Sequence, residues 1–172
     1  HPEKVLGCTK KFIQENPNTA RALTMAVLEA CRYLDVFKNR TDVAKLIAQK
    51  AYVNCPEATI MGRFLGQYDN GAGKKWLDGN MMKFHNGGKT NFPYLSDGMW
   101  FMTQHKRWGL MKTDPDYLAI AKSINQIDIY KEAATALKIA VPSSPMRSSK
   151  LIDGKVWDGS NPAAYAASFA IK

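Results

Sequence analysis

The chain has 172 residues and a formal net charge of +9; 45% of its residues are hydrophobic and 23% charged, which is ordinary globular composition. That length can bury roughly 70% of its unfolded surface around one core, and no run approaches the roughly 18 apolar residues that a membrane span requires. The charge is spread as +4, +3 and +2 over residues 1–50, 51–110 and 111–172, whereas a nucleic-acid binder gathers it on one face or arm, so nucleic acid is excluded as a partner.

Taken in order, the chain reads as helices around one irregular middle. Pro2 at a first helical position predicts a helix through Gln14, weakened at Gly7. Asn16-Pro17 supplies an N-cap and a first-turn proline for a second helix. Ala20, Leu23, Val27, Ala30, Cys31 and Leu34 form its main stripe, with Met25, Leu28 and Val36 on a second face; two apolar faces predict a central helix. Thr41 is the expected cap of a third helix reaching Ala51, with Val43, Leu46 and Ile47 inward. Pro56 begins a fourth, with Ile60, Met61, Phe64 and Leu65 on its apolar face.

Gln67 to Asn91 differs. It holds five of the twelve glycines together with Asp-Asn and Asn-Gly pairs, so it reads as loop with a short strand or hairpin around Met81 to Phe84. Gly71-Ala72-Gly73-Lys74-Lys75 lacks the spacing of a phosphate loop, and no buried strand precedes it.

Phe92 to Leu110 is the best-marked stretch. Ser96 is the expected N-cap, Asp97 the first-turn anion, Lys106 and Arg107 the last-turn cations, and Gly109 the left-handed stop. Met99 and Met102, with Phe101, His105 and Trp108, predict one broad apolar face, and Trp100 and Trp108 are both expected to be mostly buried. Asp114-Pro115 then starts a helix with Tyr117, Leu118, Ala121 and Ile124 inward. Another runs from Gln126 to Lys138 on Ile129, Tyr130, Ala133 and Leu137. Pro142-Ser143-Ser144-Pro145 to Ser149 must be extended, because proline disfavours helix in the residue before it. Lys155-Val156-Trp157 reads as a short strand, and Asn161-Pro162 caps a last helix carrying Tyr165 and Phe169.

Catalysis needs a constellation that the spacing does not supply. Ser143 and Ser144 are turn residues between prolines, and no nucleophile, base or carboxylate pair is forced together, so no catalytic residue is assigned and the chain is read as not an enzyme. Cys8, Cys31 and Cys55 are an odd count, leaving at least one thiol unpaired. Such usage leans towards a reducing compartment. Three histidines without Cys-x-x-Cys or His-x-x-x-His spacing predict no metal site, and no cofactor is expected. His105, Lys106 and Arg107 are the one compact cationic group; caps and periodicity explain them as the charged edge of a core helix.

Several of these segments, quoted together, resemble a known family. Phe92-Pro93-Tyr94-Leu95-Ser96-Asp97, Trp100-Phe101-x-Thr103, Arg107-Trp108-Gly109, Asp128 to Ala134, Pro142-Ser143-Ser144-Pro145, Asp153-Gly154 and Asn161-Pro162-x-x-Tyr165 are similar to the solute-binding proteins of cyanobacterial nitrate and bicarbonate ABC transporters. His1-Pro2-Glu3-Lys4 and Asn16-Pro17 to Leu34 fit the same pattern.

The resemblance implies a mainly α fold with minor β, residues 1–172 forming a single helical domain. That domain would be the C-terminal portion of a longer, two-lobed α/β periplasmic-binding-protein-like fold. It implies the substrate-binding component of an importer for nitrate or nitrite. The expected partners are nitrate or a related small oxyanion and the transporter's membrane subunits; the expected place is the periplasm, with a lipid anchor supplied upstream. The family's anion pocket would lie N-terminal to His1, so no ligand-binding residue is expected within this stretch. The alternative is a nitrate-sensing regulatory domain fused to the cytoplasmic ATPase subunit of the same transporter.

Overall fold

Prolines preceded by a side chain that can accept a hydrogen bond mark two of the helix starts, and the observed elements begin there. A computed structural model gives the fold of residues 4–169. It contains α1 (Lys10–Glu15), α2 (Pro17–Asp35), α3 (Arg40–Ala48), α4 (Glu57–Phe64), β1 (Gln67–Asp69), β2 (Lys75–Leu77), α5 (Leu95–Arg107), α6 (Tyr117–Ile124), α7 (Ile127–Ala136), β3 (Ser149–Lys150), β4 (Val156–Trp157) and α8 (Pro162–Ala167). The expected fold class, mainly helix with a little strand, is what is found. The described residues fall into two compact units, one holding the chain up to Thr24 and from Phe92 onward, the other Met25–Asn91.

Pro2 lies outside the described residues. The first helix is shorter than expected, because residues 4–9 are irregular and the Thr9 hydroxyl caps α1 by accepting from Phe12 N–H at 3.1 Å. In α2 one stripe alone is covered: Ala20 and Leu28 are buried, whereas Leu23 and Val27 are 46% and 41% exposed. The expected central helix with two buried faces is therefore not observed in this chain.

In the unit Met25–Asn91, α3 packs on α4. Ala44, Ala48 and Phe64 are buried, and Leu46 points outward at 46% exposure. Thr41 is not a cap; α3 starts one residue earlier, at Arg40, directly after a 3-10 turn at Phe37–Asn39. Arg40 is 3% exposed. Its Nε donates to Leu34 O at 2.8 Å and its Nη1 to Phe64 O at 3.0 Å, while Nη2 lies 3.5 Å from Asp35 Oδ1. Asp35 in turn accepts backbone N–H groups from Phe84 at 2.8 Å, His85 at 3.1 Å and Asn86 at 2.6 Å. One ion pair thus ties the end of α2, the end of α4 and the glycine-rich loop together.

Burial alone would raise the Asp35 carboxyl, but the three backbone donors and Arg40 outweigh it and hold it below the ordinary carboxylate range. A depressed folded pKa means stability that is complete above the unfolded carboxylate pKa and lost as pH falls through the folded one. Thermal unfolding of this unit between neutral and strongly acidic pH is expected to show that loss. Asp35→Asn should be less stable at neutral pH and lose less of its stability on acidification than the parent; an unchanged acid profile in the variant would contradict the assignment.

The glycine-rich middle forms its hairpin earlier than expected. β1 pairs antiparallel with β2 in the register Gln67↔Leu77, Tyr68↔Trp76 and Asp69↔Lys75, whereas Met81 to Phe84 is not strand. The Tyr68 and Trp76 rings stack at 5.6 Å, and such cross-strand aromatic pairs favour this register.

In the other unit, α5 is packed by α6 and α8. Leu95, Met99, Tyr117, Ala121 and Trp157 form a buried cluster with Trp100, Met102, Ile127, Met146 and Tyr165 against it. The buried face of α5 is narrower than predicted: Phe101 is 40% and Trp108 61% exposed. Trp108 is a surface residue. Ser96 is not the N-cap either; α5 begins at Leu95, after Tyr94, without a side-chain cap. Its C-terminal stop is as expected, with Gly109 at φ +74° and the paired bonds Gly109 N→Lys106 O and Leu110 N→His105 O, the Schellman arrangement.

The next helix also starts later than Asp114. Asp116 caps α6, accepting from Ala119 N–H at 2.9 Å, while Asp114 accepts from Tyr117 OH at 2.6 Å. Leu118 and Ile124 face outward, at 41% and 66% exposure. α7, the extended Pro142–Ser149 segment, β4 and the Asn161 cap of α8 follow the expected pattern; Asn161 Oδ1 accepts from Ala164 N–H at 3.1 Å.

Candidate functional site

The first turn of α5 gathers chain from far downstream. Leu95 N–H, one of the orphan donors of a helix start, is met by Pro145 O at 2.8 Å. The Ser96 hydroxyl, expected to cap the helix, accepts from Arg147 N–H at 3.0 Å, and Ser96 O accepts from Trp157 Nε1 at 2.8 Å. Asp97 takes both arms of Arg147, Nε at 2.9 Å and Nη2 at 2.7 Å, the bidentate geometry that a planar guanidinium favours. Burial pushes the Asp97 carboxyl up by more than Arg147 pulls it down.

The chain crosses this turn so closely that Gly159 is fixed. It is buried with φ +80°, and a Cβ there would run into Met146 Cε and lie 3.4 Å from Ser96 Cβ. Gly159→Ala is expected to cost about 1–3 kcal/mol in urea unfolding, from backbone strain and displaced Met146. An unchanged midpoint would show that the crossing is loose.

Beside this turn lies a cleft of about 500 Å³. Trp100, Trp157, Tyr165 and Phe169 form aromatic walls, and Gln104, Arg107, Lys150 and Asp153 provide polar groups. Trp100 Nε1 donates to Tyr165 OH at 3.2 Å. The Tyr165 ring is 4.8 Å from Trp157 and 5.1 Å from Phe169. Arg107 Cζ sits 3.8 Å over the Phe169 ring and 4.8 Å from that of Trp108, and Lys155 Nζ lies 3.9 Å from the Phe169 ring centroid. Arg107 Nη1 donates to Gln104 Oε1 at 3.3 Å; its Nε is buried without a hydrogen-bond partner.

The compact cationic group of the sequence does not converge on one point. Successive helical residues diverge by about 100°, and the structure shows the result. His105 is exposed, Lys106 Nζ donates to Lys112 O at 3.1 Å, and Arg107 alone reaches the cleft. The glycine-lysine run is the tip of the β1–β2 hairpin. Its Gly71 and Ala72 N–H groups are taken by Asp69 Oδ1 and Asn70 Oδ1, so the loop does not cradle a phosphate. Ser144 accepts from Met146 N–H at 3.0 Å, a turn role. All three cysteines are free thiols. Burial raises the Cys31 thiol, which lessens its reactivity. Among the described residues there is no cluster of three His, Cys, Asp or Glu side chains that could hold a metal.

Sequence reasoning named Trp100, Arg107, Trp157, Tyr165 and Phe169 singly and left their meeting unseen. Arg147 was not singled out at all; the signal that could have found it is its place just after the Pro-Ser-Ser-Pro segment, which must lie extended against something.

Comparison with known proteins gives the wider context. Residues 1–48 match the NMT1-like family. The whole chain is 34% identical to a nitrate/nitrite binding protein of Synechocystis, covering 40% of that protein. Over 99% of its length it is 31% identical to a nitrate import ATP-binding protein of the same organism, covering 26% of it. The fold superimposes on the crystal structure of the periplasmic nitrate-binding protein of Synechocystis with a TM-score of 0.93 and 33% identity, over 99% of this chain and 46% of that one. The chain therefore spans less than half the length of each of these proteins, and its fold is part of a periplasmic-binding-protein fold.

Proposed function

We propose, because this chain is homologous along its whole length to the cyanobacterial nitrate-binding proteins, that it is part of the substrate-binding component of an ABC importer for nitrate or nitrite. The observation that carries the reading is the superposition on the periplasmic nitrate-binding protein at a TM-score of 0.93. Residues 1–172 serve a structural part in it, and the anion pocket is formed mainly by chain outside this stretch. A small monovalent anion offers few contacts, so tight capture needs donors and positive charge converging from several segments. The compact group His105-Lys106-Arg107 fans apart instead. The role is binding and delivery to the transporter's membrane subunits, not catalysis, and the place is the periplasm with a lipid anchor supplied upstream.

The second reading is a nitrate-sensing regulatory domain fused to the cytoplasmic ATPase subunit. Two observations favour it: the 31% identity to a nitrate import ATP-binding protein and the three free thiols, which suit a reducing compartment.

Calorimetric titration of this chain, beside the longer protein to which we assign it, tests the main reading with nitrate, nitrite and bicarbonate at moderate salt. Saturable binding of nitrate by the longer protein and only weak, salt-screened attraction by these 172 residues are expected. Tight, salt-resistant binding by this stretch alone would overturn the placement of the pocket.

A further inference from the structure

The aromatic cleft beside α5 has features that the oxyanion reading does not use. We propose that it binds a small aromatic carboxylate, with Arg107 taking the carboxyl group and the rings of Trp100, Trp157 and Tyr165 holding the apolar body. A volume of about 500 Å³ falls in the range of small-molecule sites, which are largely apolar with a few placed polar groups.

The charge balance selects the sign of the ligand. Asp97 is neutralised by the bidentate Arg147. Asp153 accepts Lys155 N–H at 3.0 Å and keeps its charge. Arg107 and Lys150 against Asp153 therefore leave the lining with a single net positive charge. Arg107 is also incompletely used: it donates to Gln104 through Nη1, and no acceptor meets its buried Nε. A guanidinium presents its donors in a planar fork suited to a carboxylate; Nε is itself enclosed, so a carboxyl group in the cleft is met by the terminal Nη groups. Phe169, 3.8 Å from Arg107 Cζ, holds the guanidinium plane in place.

The selectivity for an aromatic body follows from the ring-lined part of the cleft. Tyr165 lies 4.8 Å from Trp157 and accepts from Trp100 Nε1, so the three rings are held as one surface. Offset or edge contacts with a bound ring fit such a surface, and an aliphatic acid such as acetate forgoes them.

Benzoate is the probe, with benzyl alcohol and acetate as matched controls lacking the charge and the ring respectively. Calorimetry and the indole N–H resonances of Trp100 and Trp157 report binding. Benzoate is expected to bind saturably and shift both resonances, with benzyl alcohol and acetate each weaker by about tenfold or more. Arg107→Gln should weaken benzoate about tenfold and leave benzyl alcohol unchanged, while Lys106→Gln, one residue away and outside the cleft, changes neither. Equal binding of benzoate and benzyl alcohol by the parent chain would overturn the proposal without any variant. So would the lack of a saturable response to benzoate, or a folded Arg107→Gln protein that binds benzoate normally. None of these results bears on nitrate, whose pocket is assigned to other chain.

Discussion

Arg40→Ala is expected to destabilise the unit Met25–Asn91 by about 3–5 kcal/mol, the range for removing one partner of a buried ion pair. The side chain is 4% exposed and its partner Asp35 24% exposed. Asp35 would keep its three backbone donors, so the orphaned carboxylate accounts for only part of the loss. The rest comes from Leu34 O and Phe64 O, which lose their guanidinium donors, and from the gap left beside the Phe84 ring, 5.2 Å from Arg40 Cζ. Arg40→Lys should recover little, because one ammonium cannot reproduce a fork that spans three acceptors. Urea unfolding gives the size of the effect, and amide exchange across 25–91 gives its location. A loss below about 1 kcal/mol, or exchange raised equally throughout the chain, would show that the pair is not the organising contact of this unit.

What was legible in the sequence is local chemistry. Asn16-Pro17 and Asn161-Pro162 mark helix starts because a fixed proline φ acts within one turn; at Asn161 the side chain also caps, accepting from Ala164 N–H, whereas Asn16 Nδ2 donates back to Phe12 O. Gly109 stops α5 for a similarly local reason. Ser96 misled because a hydroxyl near a helix start has another option: here it accepts from Arg147, 51 residues away. Asp114 misled by two residues, since Asp116 offers the same chemistry and Tyr117 takes Asp114 instead. In α2, periodicity gave two apolar faces, and this chain covers one stripe. Leu23 and Val27 are exposed in a chain that spans less than half of its solved relative. The cleft was illegible altogether. Its groups come from Asp97, Arg107, Lys150, Trp157, Tyr165 and Phe169, and no local rule predicts that α8 and the β3–β4 ladder return to one side of α5.

The second large effect follows from where the tryptophans ended up. Trp157→Ala is expected to cost about 3–5 kcal/mol, as for other buried aromatic truncations, and Trp108→Ala less than about 0.5 kcal/mol, as for an exposed site. The two lie 4% and 61% exposed. On the sequence, Trp108 stands on the apolar face of a capped helix and is expected to be buried, while Trp157 is read only as part of a short strand. Burial falls on Trp157 instead. Trp157 fills the space between Leu95, Met99 and Tyr165, and its Nε1 donates to Ser96 O at 2.8 Å. Alanine at 157 removes the ring and leaves that buried carbonyl without its donor, two losses at the same turn that also receives Pro145 and Arg147. Trp108 forfeits only its stacking with Arg107, and Phe169 keeps the guanidinium in place. Trp157→Phe separates the two losses at the buried position: it retains most of the packing and gives up the hydrogen bond, so an intermediate cost of about 1–3 kcal/mol is expected. Urea midpoints for the three variants decide it. A Trp108→Ala penalty equal to that of Trp157→Ala would mean that the outer stripe of α5 is covered in solution, and the assignment of that face to the surface would fall.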